Sequence, residues 1–163
     1  MPKSVEVQVF AFGELSEKAR DKAHADYLYH GFDHDEADNI GTIKSFCDLF
    51  DVRLIDWSID SCNYYYDAKI PNQRNISKKQ AIAMVGSWEI KQWYCLANVA
   101  TQEMQNQDNW RHGDLKYVID QCLDAMFKLW RNDLEYYYSI EYFAELCECN
   151  DWVFLESGEM FDA

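Results

Sequence analysis

Glu141, Glu145 and Glu148 recur at i, i+4 and i+7 near the C-terminus, a spacing that gathers three carboxylates on one face of a helix. Ile140, Phe143, Ala144 and Cys147 recur at i, i+3, i+4 and i+7 on another face. The segment therefore predicts an amphipathic helix with its acids turned outward. Successive helical turns rise about 5.4 Å. That is close to the roughly 6–7 Å between phosphates along one nucleic-acid strand, given a rise of about 3.4 Å per nucleotide plus the helical path. Such a row can stand in for a phosphate backbone in the groove of a basic protein. Asp120 and Asp124 repeat the i, i+4 arrangement on the preceding predicted helix, and Asp151, Glu156 and Glu159 extend the acidic run. Residues 132–163 hold nine acids and no Lys or Arg. Each like-charged i, i+4 pair costs about 0.2–0.5 kcal/mol, a penalty that no local base offsets. The ordinary alternative is a solvated acidic face.

Other clusters carry weaker chemistry. His30, Asp33, His34, Asp35 and Asp38 crowd one short stretch, and the two histidines would share a face if that stretch were helical. Gly31 and Phe32 between them predict instead a loop entering the next helix, so a metal site is not expected there. Cys147-Glu148-Cys149 has one-residue spacing, not the two-to-four of a zinc knuckle. The six cysteines are scattered, and no export signal precedes them. They read as reduced core thiols rather than a disulfide framework. No Gly-rich phosphate loop, Gly-x-Ser-x-Gly elbow or His-Glu-x-x-His pair occurs. With 29 Asp and Glu in the chain, carboxylate pairs arise by chance and name no catalyst. The expectation is a chain that is not an enzyme and uses no cofactor.

Two tyrosine triplets, Tyr64-Tyr65-Tyr66 and Tyr136-Tyr137-Tyr138, place consecutive rings on different sides of a strand or helix. At least one ring of each must leave the core. Exposed tyrosines suit protein interfaces, where they bury area at low entropic cost while keeping a polar tip. Stacking on single-stranded bases would need a basic groove beside them, which the sequence lacks.

The elements that must hold these residues follow from periodicity. Val5, Val7 and Val9 alternate with Glu6 and Gln8, predicting an opening strand. Ser16 suits a helix N-cap, and Leu15, Ala19, Ala23 and Tyr27 recur every four residues up to Gly31. A second helix runs from about Asp35 to Asp51, with Ile40, Ile43, Phe46, Cys47 and Phe50 on one face. Arg53–Asp60 and Tyr64–Ile70, joined by Ser61-Cys62-Asn63, predict a hairpin in which Ile55, Trp57 and Ile59 share a face. A helical stretch capped by Asn75 or Ser77 covers about 78–107, with Gly86 the place where it can break. Another opens at Gly113-Asp114 and keeps Leu115, Val118, Ile119, Cys122, Met126 and Leu129 in 3.6-residue period. The last helix is placed at about 133–149, before a strand at Trp152–Leu155 and a Ser157-Gly158 turn. The sum is a single α+β domain over residues 1–163, with a small antiparallel sheet, four to five helices and the order β-α-α-β-β-α-α-β.

Composition bounds the partners. The chain has 163 residues and a formal net charge of −14, yet is 48% hydrophobic and 16% aromatic, which argues against disorder. Phosphate backbones and anionic membranes repel such a chain. The expected partner is therefore a basic nucleic-acid-binding protein or complex, with no direct nucleic acid and no membrane. No apolar run is long enough to span a bilayer and no signal region opens the sequence, so a cytoplasmic location is expected.

Phe12-Gly13-Glu14-Leu15-Ser16-Glu17-Lys18-Ala19-Arg20-Asp21-Lys22-Ala23 resembles the opening of a family of small phage-encoded proteins. In that family a Leu-Ser-x-x-Ala-(Lys/Arg)-x-x-Ala helix follows a short strand. Their C-termini often carry an acidic helix, a strand and an x-Phe-Thr-Glu-Asp-Gly-x-x-Phe turn. Trp152-Val153-Phe154-Leu155-Glu156-Ser157-Gly158-Glu159-Met160-Phe161 is similar, with Leu155 and Ser157 departing from the pattern. The resemblance covers both ends of the chain and implies a phage origin and a bacterial host cytoplasm. Its members are described as antitoxin-like or left unassigned. In composition alone, the chain also resembles DNA-mimicking inhibitors of restriction and CRISPR systems. The expected function is thus an anti-CRISPR or anti-restriction inhibitor of a host defence complex. It would act through Glu141, Glu145, Glu148 and Asp151, with Asp120, Asp124, Glu156 and Glu159 secondary and Tyr136, Tyr137 and Tyr138 as anchors. The alternative is an antitoxin that neutralises a basic toxin through an aromatic interface.

Overall fold

The computed structural model describes residues 3–30, 36–72, 76–89, 94–106 and 115–162. Among them the chain forms β1 (Phe10–Ala11), a 3-10 turn (Phe12–Glu14), α1 (Glu17–His30), α2 (Ala37–Leu49), β2 (Arg53–Ile59), β3 (Tyr64–Lys69), α3 (Lys78–Gly86), α4 (Tyr94–Asn106), α5 (Leu115–Tyr137), α6 (Ile140–Cys149) and β4 (Val153–Phe154). The class is α+β, with six α-helices among the described residues rather than four to five. The strands make two separate antiparallel pairs, β1–β4 and β2–β3, not one sheet. The chain divides into two compact units with separate cores: a terminal unit of Met1–His34 and Tyr136–Ala163, and a central unit of Asp35–Glu135.

The central unit is organised by α5. Leu115, Val118, Ile119, Cys122, Leu123, Met126, Phe127, Trp130 and Leu134 are all buried, the outcome of a 3.6-residue apolar period continued for six turns. Phe127 receives the hairpin: the rings of Tyr64 and Tyr66 stack on it at centroid distances of 6.2 and 5.0 Å. The predicted Ile55-Trp57-Ile59 face is corrected at one residue. The β2–β3 register shifts between Leu54 and Asp56, so Leu54, Trp57 and Ile59 pack on the core while Ile55 is 48% exposed. A one-residue bulge moves a side chain to the opposite face. The 78–107 stretch is two helices. Ser77 caps α3, its Oγ accepting from Gln80 N while the Gln80 side chain accepts from Ser77 N, and α3 stops at Gly86. Gly113-Asp114, the predicted start of α5, lies outside the described residues.

The terminal unit joins the two chain ends. Phe10 pairs with Phe154 and Ala11 with Val153. Phe12, Leu15, Ala19, Ala23, Phe143, Cys147 and Phe154 form its core, with Phe143 meeting Phe12 edge-on at 5.1 Å and Tyr27 stacked at 4.7 Å. Ser16 Oγ accepts from Ala19 N at 3.2 Å, as expected for a cap. The predicted opening strand is shorter: among the described residues Val5, Val7 and Val9 pair with nothing and are 80, 48 and 38% exposed. The predicted 133–149 helix is broken at Tyr138-Ser139, where Ser139 Oγ accepts from Tyr142 N and caps α6. His24 reinforces this break, its Nε2–H donating to the Tyr138 carbonyl at 3.0 Å while its ring lies 5.7 Å from that of Phe143.

Candidate functional site

The predicted acidic row divides between the units, and the two parts do different work. On α5, Asp120 and Asp124 face the hairpin: Tyr66 donates to Asp120 Oδ1 at 2.9 Å and Tyr64 to Asp124 Oδ1 at 2.6 Å. Burial first, then the hydrogen bond to the carboxylate, hold the Tyr64 hydroxyl up at about 12 and push that of Tyr66 higher still. Both aspartates are half-buried acceptors within the central unit, so they serve its packing. The first triplet is accounted for in the same way, with Tyr64 and Tyr66 turned inward and Tyr65 outward at 53% exposure.

These bonds predict a measurable cost. Tyr66→Phe leaves the Asp120 carboxylate half-buried without its donor, and a hydrogen bond to a charged group is worth roughly 1.5–3 kcal/mol. Urea unfolding followed by tryptophan fluorescence should show the variant less stable by about that amount. A pH series adds a sign. The folded-state pKa values of Tyr64 and Tyr66 lie above the ordinary 10. Their contribution is therefore complete below pH 10 and is lost as pH rises above it, and Tyr66→Phe should flatten that loss.

On α6 the acids face outward. Glu141, Glu145 and Glu148 are exposed, as are Asp151, Glu156 and Glu159 beyond the helix. At about 100° per residue, the three glutamates fall within a sector of about 60°, turned away from buried Phe143 and Cys147. The two ion pairs among the described residues, Lys22–Asp26 and Arg131–Glu135, involve none of them. The terminal unit carries thirteen acids and four bases over its 62 residues, a net −9; the central unit carries sixteen and eleven over 101, a net −5. The smaller unit thus concentrates most of the charge.

Aromatic rings border this row. Tyr136, Tyr137 and Tyr142 cluster with centroids 4.9–5.9 Å apart, and Tyr136 donates to Glu145 Oε2 at 2.7 Å. That bond, more than burial, raises the Tyr136 pKa, and it fixes one carboxylate of the row against a ring that is 45% exposed. Tyr138 is 41% exposed. Tyr142, absent from the predicted set, lies only four residues beyond Tyr138 in the same aromatic run of the sequence. Behind the row, Glu148 and Asp151 line a cleft of about 530 Å³ together with Arg20, Phe12 and Trp152. Asp151 sits at φ 53°, closing α6 with Trp152 N–H donating to Cys147 O at 3.0 Å and Asp151 N–H to Glu148 O at 3.3 Å. This is the left-handed stop that glycine usually fills. Asp51 at φ 53° ends α2 similarly, with Val52 N–H on Cys47 O at 2.9 Å.

The two aspartates make a matched test of whether Asp151 serves for its charge. Replacing either by Gly relieves a left-handed residue at a similar cost in unfolded-chain entropy, so either variant should keep its stability to within about 1 kcal/mol. Only Asp151→Gly should reduce capture of a basic partner. Equal capture by both variants would remove Asp151 from the site.

The other clusters hold less. His30 ends α1, exposed, with its ring edge-on to Tyr29 at 4.5 Å, and Asp38 lies in the first turn of α2. Asp33, His34 and Asp35 lie outside the described residues, within which no three His, Cys, Asp or Glu groups converge on a metal position. Cys147 is buried and Cys149 exposed, since residues two apart on a helix point to different sides. All six cysteines are free, but only Cys47, Cys122 and Cys147 are core thiols; Cys62, Cys95 and Cys149 are at the surface. Burial pushes the Cys47 and Cys122 thiols up to about 12 and Cys147 to about 11, far from the thiolate that nucleophilic chemistry uses. No described helix is long and apolar enough to cross a membrane. No family model, curated protein or solved structure matches the chain.

Proposed function

We propose that this chain is a non-enzymatic, phage-encoded inhibitor of a bacterial nucleic-acid-handling defence complex, of the anti-CRISPR or anti-restriction kind. It binds a basic protein surface through the acidic face of its terminal unit. The observation that carries the proposal is the outward row Glu141, Glu145 and Glu148, exposed and outside both ion pairs, in a stretch with no base. Glu148 also stands at the C-terminal end of α6, where the helix dipole disfavours negative charge. The fold accepts a local penalty that a partner's Lys and Arg would reverse. Asp151, Glu156 and Glu159 widen the face, and Tyr136 with Tyr138 supply rings to desolvate on contact.

Exposed Tyr136 and Tyr138, with half-buried Tyr137 between them, also favour a second reading, an antitoxin that covers a basic toxin through Tyr136, Tyr137 and Tyr138. Salt separates the two. Tagged protein is used to capture partners from bacterial lysate at about 0.1 and 0.5 M salt, between which the Debye length shrinks about twofold. Phosphate mimicry expects a nucleic-acid-binding complex retained at the lower salt only. A small basic partner retained at both would favour the antitoxin, and no specific partner at either would reject both.

A further inference from the structure

Ser4-Val5-Glu6-Val7-Gln8-Val9 has the alternation of a strand, yet among the described residues this segment forms no backbone hydrogen bond or strand pair. The strand it leads into is short for a definite reason. With Phe10 opposite Phe154 and Ala11 opposite Val153, Val9 would face Leu155. There β4 turns away: Leu155 N–H donates to Glu159 O at 2.8 Å and Gly158 N–H to Leu155 O at 2.9 Å. Phe10 packs against the core of the terminal unit. By the two-residue period, the valines take the opposite face, and they are exposed accordingly. The chain therefore presents a segment of strand periodicity with a hydrophobic row and open edges, for which the described residues supply no partner.

The sequence of that strand fits itself. Paired antiparallel about Val7, Val7 meets Val7 and Val5 meets Val9 at two places, while Glu6 meets Gln8, also twice. Every valine faces a valine, and each Glu6 carboxylate faces an amide that can donate to it. Glu6 does not face Glu6, so the register avoids like charges across the strands. We propose that a second copy of this chain pairs antiparallel along residues 5–9, giving a two-fold symmetric strand pair. The patch is smaller than the roughly 800 Å² per partner of a standard interface, and the chains repel at −14 each. Association is expected at on the order of 10–100 μM.

The test is sedimentation equilibrium at low salt on the full chain, with charge changes at two exposed positions. Gln8→Lys sets Lys opposite Glu6 twice and should tighten the dimer about threefold or more. Adding Glu6→Lys sets Lys opposite Lys twice and should loosen it at least as much below the wild type, although that variant carries the least negative charge. Hydrogen exchange at Val5, Val7 and Val9 should slow with rising protein concentration. A wild type that stays monomeric to about 500 μM would overturn the proposal. So would a Glu6→Lys, Gln8→Lys chain that associates better than Gln8→Lys alone, since net charge rather than register would then govern association.

Discussion

Gly158→Ala is expected to lower the stability of the terminal unit by about 2–5 kcal/mol, combining positive-φ strain with overpacking. Gly158 adopts φ +89°, and a Cβ built there would lie 2.2 Å from the Ala19 carbonyl oxygen and 2.9 Å from its carbon. Those atoms are backbone of α1, so no side chain can rotate out of the way. Withdrawing the turn from α1 would loosen Phe154, which is buried and meets Phe12 and Phe143 at centroid distances of 5.9 and 6.3 Å. In thermal unfolding the loss should read as roughly 10 °C or more for a unit of this size. Gly13 and Gly86 supply the contrast, because a Cβ at either meets nothing within 4 Å. Gly86→Ala, at the end of α3, should be neutral or stabilise by up to about 1 kcal/mol. Equal melting of the Gly158 and Gly86 variants would show that the C-terminal turn does not hold against α1.

What the sequence reveals and conceals follows from the range of the interactions. The faces of α5 and α6 and the β2–β3 hairpin are legible, because one local period decides which side is buried. The β1–β4 pairing depends on contacts between residues near 10 and near 154, a separation that no window along the chain registers. The alternation through Val5–Val9 is strand chemistry, but among the described residues it finds no partner, since β4 turns away at Leu155. The break at Ser139 carries neither Gly nor Pro. Apolar and aromatic residues on both sides conceal it, and only the capping hydroxyl marks it. In the candidate site, spacing alone does not separate Glu141, Glu145 and Glu148 from Asp120 and Asp124. The difference lies in Tyr64 and Tyr66, about 60 residues earlier, which half-bury the two aspartates as they bond them, whereas Glu145 stays exposed beside Tyr136.

That division sets up the second large effect. Replacing Glu141, Glu145 and Glu148 together by Gln should weaken capture of the basic partner at least about tenfold, which is about 1.4 kcal/mol. Stability should move the other way. Removing the Glu141–Glu145 repulsion should gain about 0.2–0.5 kcal/mol. The amide oxygen introduced by Glu145→Gln can still accept from the Tyr136 hydroxyl, which reaches the Glu145 carboxylate at 2.7 Å. Circular dichroism should therefore be unchanged and the melting temperature equal or higher. Asp120→Ala with Asp124→Ala, which removes both acceptors, provides the opposite signature. Those carboxylates hold half-buried tyrosines in the central unit, so this pair should lose stability while keeping partner capture within about twofold. A surface that is acidic only for solvation predicts no binding loss in either set. The mimic requires binding and stability to separate, with the α6 glutamates on one side and the α5 aspartates on the other. Wild-type capture by the triple glutamine variant would end the phosphate-mimic mechanism and leave the exposed tyrosines as the contact to pursue.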